Sequence, residues 1–228
     1  MLSLRNLLSR ALVVSALGLP AAAVLVPSDA AASVSIAVAF ETLVKDADAV
    51  AVVTAGEPMS VWEDGRIYTY TKVKVDQGVA GDVGAGADGW VRTMGGVVGK
   101  IGQLVDGEPV LVRDKPALLF LRKFKEGGVF EVSARAQGQY PITVDEKTKT
   151  RKLLRSASVG MLLPPKGAPE TSKTSGTVQP QSVSIAKPID PAKVRLAQDV
   201  LTEKSLDDVS REIAATWKRL HPAAAPVK

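Results

Sequence analysis

Few residues in this 228-residue chain are equipped for chemistry: it has a single histidine, His221, and no cysteine. Structural zinc sites, thiol nucleophiles, disulfide frameworks and histidine-based triads therefore lose their main residues. The glycine-rich loops come next. Gly84-Ala85-Gly86-Ala87-Asp88-Gly89 matches the G-x-G-x-x-G spacing that seats a dinucleotide pyrophosphate on a helix N-terminus. That use requires a helix directly afterwards, and Trp90-Val91-Arg92-Thr93 reads as a strand, so the motif predicts a turn. Gly95 to Lys100 approaches a phosphate loop, but only three residues separate Gly95 from Gly99-Lys100. Ile101 also stands where the metal-binding Ser or Thr belongs. Backbone N–H groups there could hold an anion, although an irregular crossover is the plainer reading. Ser184-x-x-Lys187 copies the serine β-lactamase nucleophile spacing without its partner motifs. Asp207-Asp208 suits a helix start and Asp145-Glu146 a hairpin turn, which leaves no carboxylate pair for glycoside hydrolysis. His221, beside Pro222, has no evident partner and is expected in solvent. No catalytic, metal-binding or cofactor-binding residue is assigned, and the expectation is a protein that is not an enzyme.

The remaining candidate is a stripe. From Arg66 to Asp76 the sequence alternates, with Ile67, Thr69, Thr71, Val73 and Val75 on one side and Tyr68, Tyr70, Lys72 and Lys74 on the other. Tyrosine rings stack, their hydroxyls hydrogen-bond, and lysines meet anions, so this face can bind a ligand. It also reads as an ordinary solvated outer face. If a ligand binds, the expected site is Tyr68, Tyr70, Lys72 and Lys74, rimmed by Gly96, Gly99, Lys100 and Gln103.

The elements that must carry this stripe follow from pattern. Residues 1–32 read as a signal peptide: Arg5 and Arg10 precede an apolar run from Ala11 to Val26, and Ala30-Ala31-Ala32-Ser33 fits cleavage between Ala32 and Ser33. The run is interrupted by Gly18 and Pro20 and falls short of the roughly 20 residues a bilayer span needs. The expectation is an exported protein, periplasmic or secreted, without a transmembrane segment. Cleavage there lowers the formal charge of +5 by one. Such a mildly basic chain suits an unknown protein partner or an anionic envelope polymer, and not nucleic acid.

Hydrophobic residues make up 46% of the chain and aromatics only 4%, so aliphatic side chains must fill the core. Phe40 to Ala47 has helical spacing, and Ala49 to Thr54 is a buried-strand pattern. Glu57-Pro58 suggests a bulge, and Asp64-Gly65 a hairpin turn. A glycine-rich connection from Gly78 to Gly89 precedes a short strand, Trp90 to Met94, and a second glycine-rich loop runs from Gly95 to Gly107. Strands are expected over Pro116–Phe124 and Val129–Ala134, with a last hairpin of Tyr140–Val144 and Lys152–Leu154. A Pro/Ser/Thr-rich linker occupies 164–190. Asp190-Pro191 resembles a helix start, giving helices over Ala192–Glu203 and from Ser205 onward. Leu206, Val209, Ile213, Trp217 and Leu220 form the apolar face of the second. No internal repeat organises the chain. The expected fold is mainly β: an antiparallel, partly open OB-like barrel over 33–163, with a short N-terminal helix and a helical C-terminal segment, 191–228.

Ala47-Asp48-Ala49-Val50-Ala51-Val52, the hairpin, Tyr70-x-x-Val73-x-Val75 and Gly78 together resemble the barrel core of tissue inhibitors of metalloproteinases and netrin modules. Gly95-Gly96-x-x-Gly99-x-x-Gly102-Gln103 and Ala117-Leu118-Leu119-Phe120-Leu121 fit the later part of such OB-type domains, and the likeness spans about residues 40–155. It looks closest to uncharacterised bacterial secreted domains of that type. The resemblance implies a second possible function: a metalloprotease-directed protease inhibitor that chelates the protease zinc through the amine and carbonyl of its mature N-terminus, here Ser33. The animal families are disulfide-bonded, and this chain has no cysteine.

Overall fold

The computed structural model describes residues 34–125, 127–165 and 194–222. The signal peptide read over 1–32, the Ala32–Ser33 cleavage site, most of the 164–190 linker and the Asp190-Pro191 helix start lie outside the described residues. The elements in chain order are β1 (Val34–Ile36), α1 (Phe40–Lys45), β2 (Ala49–Glu63), β3 (Arg66–Gly81), β4 (Asp88–Met94), β5 (Gly96–Val98), β6 (Ile101–Gln103), β7 (Pro116–Lys125) and β8 (Val129–Val132). A 3-10 turn (Arg135–Gly138), β9 (Gln139–Val144), β10 (Arg151–Leu153), β11 (Met161–Leu163), α2 (Ala197–Leu201) and α3 (Leu206–Leu220) follow.

The protein is mainly β, built on one seven-stranded sheet in the order β10-β9-β7-β2-β3-β4-β8, with β7 also pairing β8. The sheet is mixed, which corrects the antiparallel expectation. β7 runs antiparallel to β2, and β8 antiparallel to β7, so β8 shares the direction of β2 and β4. Where β8 meets β4 the pair must be parallel, and Trp90 stands opposite Val129. The small β1–β11 pair is parallel as well.

Burial on both faces explains the unbroken apolar run of β2. Ala49, Ala51 and Val53 pack with Val73, Val75, Val91, Leu119, Leu121 and Val132. Val50 and Val52 face the other way, against Phe120, Leu118, Phe40, Leu43 and the α3 residues Leu206, Val209 and Ile213. The C-terminal helix is thus part of the core. Its start is capped as its sequence predicts, with the Ser205 hydroxyl accepting the Asp208 N–H at 3.1 Å.

Several boundaries differ from expectation for local reasons. β2 continues through Pro58 to Glu63, with its register shifting between Ala55 and Pro58, where proline has no N–H to donate. β3 continues past Asp76 to Gly81, into the stretch expected as a glycine-rich connection. The loop expected over Gly95–Gly107 contains the β5–β6 hairpin. α2 begins only at Ala197, because Leu196 is held extended by a bridge to Ala39, with Phe40 N–H donating to Arg195 O and Ala197 N–H to Val38 O. His221 is partly buried; its ring stacks on Trp217 at 3.9 Å, and its buried Nδ1 has no hydrogen-bond partner among the described residues.

Candidate functional site

The alternation of β3 holds. Ile67, Thr71, Val73 and Val75 are buried, Lys72 and Lys74 are exposed, and Tyr68 and Tyr70 are partly buried. The two tyrosines are engaged by a residue that the sequence did not flag, Arg92. The β3–β4 register places Arg92 opposite Tyr70 on the same face. Its guanidinium carbon lies 3.4 Å from the Tyr68 ring centroid and 4.2 Å from that of Phe124. Arg92 pairs with Glu131 at 2.7 Å and Glu63 at 3.3 Å, and the Tyr70 hydroxyl donates to Glu63 at 2.7 Å.

Burial alone would lower the Arg92 pKa, but the Glu131 hydrogen bond and the Glu63 charge outweigh it and hold the guanidinium protonated. Burial, then the Glu63 bond, raises the Tyr70 pKa, which keeps its hydroxyl a donor. The adjoining cleft of about 220 Å³ adds Arg122 and Arg135. Arg122 is paired with Glu131 at 3.1 Å and Arg135 with Glu108 at 3.2 Å. These charges are satisfied internally, so this face acts first as a polar clamp on the sheet. Lys72 is exposed and 3.5 Å from Asp88.

The glycine-loop residues lie on the opposite side. Gly96 touches Thr69 and Ser60, which face away from the tyrosines, and a Cβ there would lie 2.3 Å from Thr69 Oγ1. Gln103 Oε1 accepts the Ile67 N–H at 2.9 Å, and Gly95 N–H donates to Ile67 O at 2.7 Å. Gly99 and Lys100 form the exposed hairpin tip. The structure therefore separates the two halves of the expected site: Tyr68, Tyr70, Lys72 and Lys74 on one face, Gly96 and Gln103 on the other.

On that second side is a cavity of about 390 Å³, whose lining includes Thr69, Thr71, Thr93, Gln103, Leu104 and Leu111. Its size lies within the range of ordinary small-ligand sites, and apolar surface with a few oriented polar groups is their usual lining. Hydroxyls and one amide can hydrogen-bond a neutral polar ligand. Leu104, 90% exposed, stands at the edge. A side-chain amide and a carboxylate hold the surrounding loop: Gln139 accepts the Val110 N–H at 3.2 Å and donates to Val110 O at 2.6 Å, and Glu108 accepts the Met94 N–H at 3.0 Å.

Thr69, Thr71 and Thr93 were assigned no function from sequence. One signal was present, since two threonines interrupt an otherwise aliphatic inward face between Ile67 and Val73. Among the described residues no group of three or more Asp, Glu or His side chains could hold a metal, and no helix is long and apolar enough to cross a membrane. The chain matches no protein-family model, no curated protein and no solved structure.

Proposed function

We propose that the chain is an exported, non-enzymatic binding protein whose barrel takes an extended segment of a partner protein at the Thr69–Gln103 cavity. The observation that carries this reading is the cavity itself. Its lining combines the Thr69, Thr71 and Thr93 hydroxyls and the Gln103 amide with the Asp106 and Glu108 carboxylates, and exposed Leu104 stands beside it. Hydroxyls and an amide suit peptide groups, and an aliphatic edge suits an apolar side chain. The OB-like barrel reading is supported by the ring of pairings β7–β2–β3–β4–β8–β7, which returns to its starting strand.

The test is affinity capture from envelope and culture fluid on immobilised residues 33–228 and on the Leu104→Asp variant. A protein retained by the first and lost by the second supports the reading, whereas equal retention removes the cavity from consideration. Turnover on a hydrolase panel, abolished by one point substitution, would defeat the non-enzymatic assignment.

A second reading, inhibition of a metalloprotease through the amine and carbonyl of Ser33, has one observation in its favour. Without cysteine, the N-terminal segment still has a seat on the domain: β1 pairs with β11, and the Gln137 amide accepts the Val38 N–H at 2.9 Å and donates to Ile36 O at 2.9 Å. One residue added ahead of Ser33 should abolish such inhibition, and unchanged inhibition would exclude that mechanism.

A further inference from the structure

The sequence does hold one short repeat. Ser33-Val34-Ser35-Ile36-Ala37 recurs, residue for residue, as Ser182-Val183-Ser184-Ile185-Ala186. The first copy supplies β1, and the slot it fills makes specific demands. Ala37 is 4% exposed, so a small side chain is needed there, and its N–H donates to Leu163 O at 2.8 Å. Ser35 lies opposite Leu162 in the register. Gln137 grips the strand through the carbonyl of residue 36 and the N–H of residue 38.

The second copy meets each demand. Ala186 stands in place of Ala37, Ser184 in place of Ser35, and Lys187 offers the N–H that Gln137 accepts; proline comes only at 188. We propose that Ser182–Ala186 is a second occupant of the β1 slot, exchanging with β1 for parallel pairing to β11 of the same chain.

Chain length permits this. To lie parallel to β11, the chain leaving Leu163 must return to the start of that strand, which takes a crossover of about a dozen residues or more. Residues 164–181 exceed that length. The exit also fits, because Ala197 N–H donates to Val38 O, which puts the far end of the slot beside the start of α2. The resident is held lightly. β1 has three residues, and Val34, Ile36, Met161 and Leu163 share one face of the pair and are 47–62% exposed. So short a strand with little buried surface opens at low cost. Exchange would release residues 33–38, and with them the mature N-terminus. The inference is independent of the ligand assigned to the cavity.

A chain without cysteine allows a direct test by paired cysteines. In residues 33–228, Ser35→Cys with Leu162→Cys should close a disulfide within the monomer and serves as the control. Ser184→Cys with Leu162→Cys should close within the monomer too, with a yield rising several-fold when the chain begins at Val38. Ala186→Asp should cancel that rise. Ala37→Asp in residues 33–228 gives the same readout if the shortened chain does not fold. The proposal is overturned if the Ser184→Cys pair stays reduced after β1 is removed or displaced, or if Ala186→Asp leaves its closure unchanged. Closure only as a disulfide-linked dimer would also overturn it, because the slot would then be filled by a second molecule.

Discussion

The hydroxyls of Ser60 and Thr69 lie 2.8 Å apart, and their neighbours fix which one donates. Thr69 spends its hydrogen on Gly95 O at 2.7 Å, so Ser60 must donate to Thr69, and Ser60 in turn accepts the Val97 N–H at 3.3 Å. One chain of donors thus pins the β5–β6 hairpin to the long β2–β3 hairpin, beside the cavity.

Gly96 sits against these two hydroxyls, with φ of +133° and room for no Cβ: an added carbon would lie 2.3 Å from Thr69 Oγ1 and 2.4 Å from Ser60 Oγ. Gly96→Ala is expected to cost about 1–3 kcal/mol through backbone strain and a displaced hairpin. Thermal melting checks the size. Hydrogen exchange checks the place: the Val97 amide should lose protection while the Val52 amide keeps it. Retained protection at Val97 would mean that something else holds the hairpin.

Arg92 separates structure from function on the tyrosine face. Arg92→Met removes the cation paired with both Glu63 and Glu131, a loss approaching the roughly 3–5 kcal/mol of breaking a buried pair, reduced by the solvent that reaches the glutamates and by the Arg122 pair that Glu131 keeps. Tyr70→Phe removes one bond to a carboxylate and should cost about 1–2 kcal/mol. Lys72→Ala, at an exposed side chain, should stay within about 0.5 kcal/mol. Urea denaturation of the three variants ranks them, and a reversed order would show that the arginine does not organise this face.

The inward and outward sides of residues 66–75 were legible because a strand alternates with period two and its apolar residues fall on one side. The apolar face of α3 was legible for the same kind of reason, at helical period. Arg92 was not. Its neighbours Glu63, Tyr70 and Glu131 come from three strands, and only the β2–β3, β3–β4 and β4–β8 pairings bring them together. The parallel β4–β8 pair likewise follows from chain direction summed over four pairings, which no local pattern carries. β1 and β11 escaped notice because three residues hold too little pattern. The candidate cavity was half legible: Gly96 and Gln103 were singled out, but they were assigned to the rim of the tyrosine face because the side on which a glycine-rich loop docks is a tertiary fact.

Asp145 closes the β9–β10 hairpin, accepting the N–H groups of Lys147 and Thr148 at 3.0 Å each and a bond from the Lys152 ammonium at 3.1 Å. The Thr148 N–H, then Lys152 and the Lys147 N–H, lower its pKa to about 2. A carboxyl held below its unfolded value contributes stability that is fully present above the unfolded pKa, near 4, and disappears as pH falls through about 2. Asp145→Asn should therefore be less stable than the parent at pH 7, with the gap closing between about pH 4 and pH 2. Melting curves across that range check it, and a gap independent of pH would assign the effect to the turn geometry alone.

The last prediction concerns the C-terminal helix, which an autonomous helical segment after a linker would leave dispensable. Ile213 has no exposed surface and packs in one cluster with Phe40, Leu43, Val50 and Phe120, residues contributed by α1, β2 and β7. Truncating it leaves a cavity walled by strands as well as helices, and these can collapse only in part. Ile213→Ala is therefore expected to destabilise the whole unit by about 2–5 kcal/mol. The unfolding transition should remain single, because helix and sheet share that core. Arg211→Ala, on the exposed face of the same helix, removes an ion pair with Asp208 and should change stability by no more than about 0.5 kcal/mol. Guanidinium unfolding followed at Trp217 and by far-ultraviolet circular dichroism checks both. If α3 melted in a separate, earlier transition while the sheet stayed folded, the helix would be an appendage and not a wall of the core.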